Sequence, residues 1–306
     1  MSRAVIVSCF ALTLISACSD EGAAGFGNPP THATSAQPSG APANTLPQSG
    51  QGNSGGVLAR DGQDPAAGLE ATMAYNTSDI GARVDFHNGP LVGVSIQCDR
   101  AGGGAVVPEC AAANAKSAYL VNELRGVHSY AGAFAVNGYG PDQNQNGFAT
   151  VHSGPAATER VNLPGSSVTY TGQFQSGASI TTGGTRYAGR ASGTTQLDVD
   201  FAAGQLSGQF NGTLRDDATG QSTALTAGFQ NAAVDPNARF FNTADTGFEY
   251  GGQQAWGELD GAFYGPNAEE AAGTFGFGNA LGGMSGVMIG CSEYTGTNCI
   301  APTPRF

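Results

Sequence analysis

The 306-residue sequence contains little charge, and most of that charge has one sign. Only 12% of its residues are charged, and 24 Asp and Glu against 12 Lys and Arg give a formal net charge of −12. Lys116 is the one lysine. Because nucleic acids and anionic lipid surfaces repel so acidic a chain, and because the sequence shows no basic patch, we expect neither as a partner.

The sequence also lacks the motifs of common enzyme classes. It contains no nucleophile elbow, no phosphate-binding loop and no metalloprotease helix. Asp198 and Asp200 share one face of a predicted strand, about 7 Å apart, but no signal of a pocket accompanies them. We interpret them as a solvated strand face and predict that the protein is not an enzyme.

No apolar run near the N-terminus is long enough for a lasting membrane span, since the run at residues 4–14 is too short. Residues 1–17 are typical of a signal peptide, and residues 15–18 (ISAC) resemble the lipobox of bacterial lipoproteins. We therefore expect Cys18 to carry the lipid anchor, with an ordinary signal peptide as the alternative. Ser19 favours the outer membrane; whether the protein faces outward or into the periplasm stays open.

Glycine, in contrast, is abundant, with 48 residues, while 40% hydrophobic residues still allow a core. Residues 18–75 show no periodicity and consist mainly of small and polar residues. Such a segment buries too little apolar area to offset its ordering entropy, so we predict a lipid-anchored, disordered tether.

Four cysteines follow the proposed lipid site: Cys98, Cys110, Cys291 and Cys299. An even number in an exported protein indicates disulfides. Three pairings are possible, and the shortest loops favour Cys98–Cys110 and Cys291–Cys299. The alternative is a metal site, but no histidine stands at zinc-ligand spacing beside them.

One pattern recurs along the chain: a bulky apolar residue, a glycine and a second bulky residue at alternate positions. It occurs at residues 130–134, 170–174, 206–210, 259–263 and 284–288. Side chains two apart share a strand face, and a glycine between large neighbours lets a sheet bend sharply. The pattern predicts an all-β fold with a closed antiparallel barrel of about eight strands in residues 127–306, and an open sandwich is the alternative.

The predicted strands cover residues 128–137, 147–153, 167–175, 186–200, 205–215, 222–229, 254–264, 272–278 and 284–290. In the hairpin at residues 197–201 and 205–214 the outward face is uncharged or acidic, unlike that of a membrane-spanning barrel. Large side chains should fill the interior, which leaves ligand binding to loops at the barrel ends. We expect residues 76–126 to form a small N-terminal subregion packed on the barrel.

The segment at residues 256–277 carries a resemblance to a known family. Its residues Gly261, Phe263, Tyr264, Gly265, Pro266, Ala268, Glu270, Gly273 and Phe275 resemble the signature that closes the β-barrel of transferrin-binding protein B and related bacterial surface lipoproteins. Residues 168–172 and 197–208 resemble weaker strand motifs of the same family. The resemblance covers roughly residues 125–290. It implies an eight-stranded barrel, a lipid anchor and ligand binding in metal or haem acquisition, but no particular binding site.

Two sets of residues are weak candidates for binding a metal or haem. Asp142, Asn144 and Asn146 resemble the start of a calcium loop, but Ser153 stands where the twelfth-position acid belongs, so we interpret them as a polar hairpin loop, with calcium binding as the alternative. Haem iron could be bound by His87, His128, His152, Tyr130, Tyr139 or Tyr187. None of these forms a pair at ligand spacing, which favours surface or strand roles.

The sequence thus predicts a monomeric outer-membrane lipoprotein without a cofactor of its own. By resemblance it binds haem, an iron carrier or another protein for nutrient-metal acquisition, beside an outer-membrane transporter. The alternative is a structural or protective surface lipoprotein that contacts another macromolecule and has no transport role.

Overall fold

The computed structural model describes residues 49–60, 63–67, 71–76, 81–99, 109–154, 167–265 and 267–293. These parts consist of antiparallel strands joined by turns, with a 3-10 helix at Gly89–Leu91. The predicted all-β class is confirmed. None of the helical structure within these ranges has the length and apolar character of a membrane span.

The first nine strands form one antiparallel sheet, which we call the N-terminal sheet. They are β1 (Ser49–Arg60), β2 (Gln63–Ala67), β3 (Ala71–Asn76), β4 (Gly81–Phe86), β5 (Ser95–Asp99), β6 (Glu109–Ala113), β7 (Ser117–Arg125), β8 (Tyr130–Tyr139) and β9 (Gln145–Ser153). β2 pairs with the C-terminal half of β1, and β3 pairs with its N-terminal half. β1 also pairs with β9, so the last strand of the sheet returns to the first.

This sheet corrects two expectations. Strand pairing begins at Ser49, inside residues 18–75, which we expected to be a disordered tether. Backbone hydrogen bonds to the neighbouring strands form β1, and these bonds do not depend on its side chains. β8 and β9 belong to the N-terminal sheet and not to the barrel. The same glycine pattern occurs in both sheets, so it could not show to which sheet β8 and β9 belong. Residues 1–48, with the predicted signal peptide and Cys18, lie outside the described residues, and the domain boundaries stay a prediction.

The remaining nine strands form the barrel. They are β10 (Ser167–Thr182), β11 (Thr185–Asp200), β12 (Gln205–Asp216), β13 (Ser222–Val234), β14 (Arg239–Phe241), β15 (Gly247–Tyr250), β16 (Gln253–Tyr264), β17 (Glu270–Asn279) and β18 (Gly282–Ser292). β10 pairs with β18, which closes the ring. The short β14 and β15 both pair with β13 and β16 and share one place between them, giving eight positions. The prediction of a closed barrel of about eight strands is confirmed.

Aromatic rings fill the barrel. The Phe210 ring lies 4.7 Å from Phe275 and 5.4 Å from Phe277, centroid to centroid. The glycines of the recurring pattern make room for such rings: a Cβ added at Gly261 would lie 2.0 Å from the Phe240 ring. The predicted use of glycine between bulky neighbours therefore agrees with the packing.

The two sheets pack against each other on one side of the barrel. Every residue of β17 except the last is buried on both faces, whereas β10 to β13 bury alternate residues only. The contact is a cluster of small and branched residues: Leu124, Ala131, Ala133, Ala262, Tyr264, Ala272, Val287 and Ile289. Alanines at four of these positions allow the sheets to approach closely.

Disulfide bonding agrees with the predicted pairing where the structure describes it. Cys98 in β5 and Cys110 in β6 form a disulfide, so this prediction is confirmed. Cys291 is buried and disulfide-bonded. Cys299 lies outside the described residues, and the Cys291–Cys299 pairing stays a prediction.

Candidate functional site

The family-signature residues surround the corner between β16 and β17, where the barrel meets the N-terminal sheet. Gly265 has a φ of +87°, and a Cβ there would lie 2.3 Å from Glu269 Oε2 and 2.9 Å from His128 Cδ2. Ala268, with a φ of +55°, completes the corner, and its carbonyl accepts a 2.8 Å hydrogen bond from the Tyr170 hydroxyl. Pro266 lies outside the described residues. The corner therefore requires a glycine and is tied to β10.

Adjacent residues at the end of β16 point to opposite sides of the barrel wall. Phe263 points inward, where its ring lies 5.3 Å from Tyr170, 5.0 Å from Phe201 and 5.4 Å from Phe240. Tyr264 points outward, and its hydroxyl lies 2.5 Å from Nδ1 of His152 in β9. The phenylalanine thus belongs to the core, and the tyrosine joins the two sheets.

Glu270, the first residue of β17, links the two sheets through three hydrogen bonds. Its Oε1 accepts hydrogen bonds from the backbone N–H groups of Val127 (2.7 Å) and His128 (3.0 Å), and its Oε2 accepts one from the Ser129 hydroxyl (2.6 Å). These donors lie in the turn between β7 and β8. A Cβ at Gly126 would lie 2.0 Å from Glu270 Oε2, so the turn needs its glycine.

Burial controls the ionisation of Glu270. Its side chain is fully buried, and this desolvation raises its pKa above the ordinary 4.5, although the hydrogen bonds from Ser129, His128 and Val127 and the charge of His128 oppose the rise. A protonated Glu270 could still bond with Ser129, whose hydroxyl both donates and accepts.

Asp260 provides the second buried carboxylate of the region. Its Oδ1 lies 3.1 Å from an Arg239 guanidinium nitrogen, and its Oδ2 lies 3.8 Å from His152 Nε2, an ion-pair distance. Burial by itself would raise the pKa of Asp260, but His152 and Arg239 outweigh it and hold the pKa below the ordinary 3.8. His152 is therefore placed between Tyr264 and Asp260.

We call this set of residues the junction: Val127, His128, Ser129 and His152 from the N-terminal sheet, and Asp260, Tyr264 and Glu270 from the barrel. His152, Asp260, Tyr264 and Glu270 are each less than a tenth exposed. Their polar atoms bond across the interface, and they hold the two sheets together. Sequence reasoning missed this role because the partners lie far apart in the chain, from 108 residues for His152 and Asp260 to 143 residues for Val127 and Glu270.

The predicted calcium-loop residues lie in the hairpin between β8 and β9. The Asn146 side-chain oxygen accepts a 3.2 Å hydrogen bond from the Gly138 N–H, while Asp142 and Asn144 are exposed. Gln143 has a φ of +51°, as in a tight turn. Across the described ranges, no group of three or more His, Cys, Asp or Glu residues is placed to hold a metal. Calcium binding here stays the alternative to the polar hairpin loop that we favour.

The candidate haem ligands do not converge on one site. Tyr130 and Tyr139 are fully buried in the N-terminal core, and His152 belongs to the junction. His87 is exposed, and Tyr187 packs partly buried against the barrel core. The structure therefore distributes these side chains over both sheets.

Asp198 and Asp200 serve as hydrogen-bond acceptors on the barrel surface. Asp198 accepts a 2.8 Å hydrogen bond from the Thr169 hydroxyl, and Asp200 accepts from the N–H groups of Ala202 and Ala203 at 2.9 Å. This agrees with the interpretation of a solvated strand face.

The outward-facing side chains of β10 to β13 form a surface that is exposed to solvent. One row across it consists of Gln173, Thr194, Asn211 and Thr226, each paired with the next and each exposed. Amide and hydroxyl groups of this kind both donate and accept hydrogen bonds. We call this surface the outer face.

One comparison with known proteins identifies a family. Residues 156–292 match the family described as the C-lobe and N-lobe β-barrels of transferrin-binding protein B. A search of the curated proteins finds no match. The family's members are binding proteins and not enzymes, which agrees with the prediction from the sequence.

Similar solved structures include surface proteins of several bacteria. A transferrin-binding protein B mutant from Actinobacillus pleuropneumoniae H49 is 21% identical over 54% of this chain and 76% of that one, with a TM-score of 0.31. The N-lobe of lactoferrin-binding protein B from Moraxella bovis is 15% identical over 57% and 79%, with a TM-score of 0.35. HpuA from Kingella denitrificans, solved with human haemoglobin, is 13% identical over 82% and 89%, with a TM-score of 0.36.

The matched residues 156–292 contain all strands of the barrel and the whole signature segment. The barrel of this chain is therefore similar to the β-barrels of transferrin-binding protein B over residues 156–292.

Proposed function

We propose that this chain is a lipid-anchored outer-membrane protein that binds an iron- or haem-carrying protein. The observation that carries the proposal is the family match over residues 156–292, with the signature residues in place at the corner of β16 and β17. Relatives are named for binding transferrin and lactoferrin, and one was solved with haemoglobin. The lipid anchor at Cys18 and a partnership with an outer-membrane transporter belong to the same proposal.

The surfaces available for such a partner lie outside the barrel lumen and outside the junction. Aromatic side chains occupy the lumen, and the polar groups of the junction already bond to one another. The outer face and the loops at the barrel ends remain. A protein partner suits a broad polar face better than a small molecule does, since small ligands bind in concave, mostly apolar sites.

The test is a binding panel with the full mature chain, made soluble by Cys18→Ser. Immobilised protein is exposed to transferrin, lactoferrin and haemoglobin, each with and without its iron or haem, and free haem is titrated by absorbance. We expect saturable binding of at least one carrier. Absence of binding across the panel would defeat the proposal. Serum albumin serves as the matched control for non-specific capture.

A further inference from the structure

Two arginines face each other on the outer face. Arg190 of β11 and Arg215 of β12 are directly paired in the strand register, and both are exposed. Residues paired in this way have Cβ atoms about 4.5–5.5 Å apart, and like charges so placed destabilise a sheet. Arg186, four residues earlier on β11, is exposed on the same face. Three of the chain's 12 basic residues thus lie near one end of the barrel.

These arginines are not engaged in the ion pairs of the described structure. The four ion pairs within the described ranges involve Arg83, Arg125, His152 and Arg239 as cations. Asp216 beside the pair turns inward and accepts hydrogen bonds from the Ala188 N–H and from Thr219. Both guanidinium groups therefore remain available to a partner.

Of the acidic residues on the outer face, Asp217 lies beside the arginine pair and Asp198 lies far from it. Asp217 is next to the pair; burial raises its pKa although Arg190 and Arg215 both act to lower it. Asp198 lies eight residues along β11 from Arg190, about 26 Å by the rise of a strand. That separation exceeds the screening length of about 8 Å at physiological salt, so the far end does not cancel the field of the arginines.

We propose that the Arg190–Arg215 pair receives a carboxylate from an acidic segment of a protein partner. This inference rests on the proposed function, that the chain binds another protein. It adds the place on the barrel where the partner binds and the chemical groups that bind it. Guanidinium groups present a planar fork that matches a carboxylate with two parallel hydrogen bonds. Exposed hydroxyl and amide groups elsewhere on the outer face are available for the rest of the contact.

A protein segment fits this site better than an anionic membrane does. An extended anionic surface would face the whole chain, whose net charge is −12, and would be repelled. An acidic segment brings its charge to one spot, within the reach of the pair. The arginine pair is therefore a local basic site on an acidic protein, and its charge is complementary to that of an acidic segment.

The test uses a fluorescein-labelled peptide of ten glutamates and the full mature chain with Cys18→Ser. Fluorescence anisotropy is measured at 20 and 150 mM NaCl. We expect the wild type to bind, and the double variant R190Q/R215Q to bind about tenfold or more weakly, as for a lost charge-assisted hydrogen-bonded pair. Arg83→Gln, which removes an exposed arginine elsewhere, is the matched control and should leave the affinity within about twofold.

Folding is checked separately. Because removing one arginine relieves like-charge repulsion, the double variant should melt at or above the wild-type temperature. Equal peptide binding by the wild type and R190Q/R215Q, or no binding by the wild type, would overturn the inference. So would arginine-dependent binding to phosphatidylglycerol vesicles in place of the peptide.

The carrier panel separates this inference from the proposed function. If a carrier binds the wild type and R190Q/R215Q equally, the inference fails and the proposed function stands. If no carrier binds but the peptide binds through the arginines, the proposed function fails and the acid-binding site stands. Weaker carrier binding by the double variant, with Arg83→Gln unchanged, supports both.

Discussion

The two sides of this barrel use the same kind of strand for different purposes. β16, β17 and β18 are covered by the N-terminal sheet, and their outward residues are alanines, branched apolar residues and a few bonded polar groups. β10 to β13 expose threonines, glutamines, asparagines and the paired arginines. The family signature lies wholly on the covered side. Its residues therefore build and attach the barrel, whereas the recognition that we propose takes place on the exposed side.

Removing the Glu270 side chain should break the covered side most severely. Glu270→Ala leaves three donors in the 127–129 turn without their acceptor, which we expect to lower the free energy of unfolding by about 3–5 kcal/mol. Urea denaturation measures the change. Glu249→Ala, at an exposed acid of β15, is the control and should change stability by less than about 0.5 kcal/mol. An equal loss for the two variants would contradict the role of Glu270.

The pH dependence of Glu270 sharpens the same point. Its folded pKa is raised, so between the ordinary 4.5 and the folded pKa the folded state binds more protons than the unfolded state. The contribution of Glu270 to the free energy of unfolding is therefore largest below this pH range and falls as the pH rises through it. Glu270→Gln should remove this part of the slope in stability-against-pH curves. An unchanged slope would show that Glu270 ionises normally.

A methyl group at Gly261 should disturb the barrel interior nearly as much. The added Cβ of Gly261→Ala would meet the Phe240 ring at 2.0 Å and the Ala272 carbonyl oxygen at 2.8 Å, and the second contact is backbone that cannot easily move. We expect a loss of about 2–3 kcal/mol in the free energy of unfolding. Gly247→Ala, where a Cβ meets nothing within 4 Å, is the matched control. Similar stability of both variants would refute the packing argument.

Asp260 should make a smaller and pH-dependent contribution. Since His152 and Arg239 hold its pKa below 3.8 in the folded state, its stabilising effect is present above that value and lost as the pH falls through the folded pKa. We expect Asp260→Asn to cost about 2 kcal/mol at pH 7 and progressively less below pH 4. Thermal unfolding of both proteins from pH 7 to pH 3 measures the difference. A difference that is constant with pH would show that the charge of Asp260 is not involved.

The smallest effect on the covered side should come from the Tyr264 hydroxyl. Tyr264→Phe removes the bond to His152 and keeps the ring, at a cost of about 1 kcal/mol. Thr194→Val on the outer face changes a hydroxyl of similar size and should cost less than about 0.5 kcal/mol. Calorimetry of the two variants measures the loss of stability on each side of the barrel. A larger loss for Thr194→Val than for Tyr264→Phe would contradict this prediction.

Much of the barrel could be predicted because its strands alternate strictly. Seven predicted segments from residue 167 onward correspond to long strands of the barrel. The short β14 and β15, with three and four residues, give too little periodicity to detect. β8 and β9 were predicted as strands but assigned to the wrong sheet. The alternation of residues along a strand does not indicate which strand pairs with it.

The junction and the arginine pair were beyond sequence reasoning for a related reason. Two of the donors to Glu270 are backbone groups, which every non-proline residue carries, so no side chain marks them. Arg190 and Arg215 stand 25 positions apart without a basic run, and only the register of β11 on β12 brings them together. Tyr264 was found through the signature, but its partner His152 was considered only as a haem ligand or as an ordinary surface or strand residue.

Residue-resolved amide hydrogen exchange tests the central claim that the signature segment joins the two sheets. In the wild type, the Val127 and His128 amides should exchange slowly because they donate to a fully buried carboxylate. In Glu270→Ala they should exchange much faster, while amides of β10 to β13 keep their rates. Fast exchange of these two amides in the wild type, or rates unaffected by Glu270→Ala, would contradict the claim.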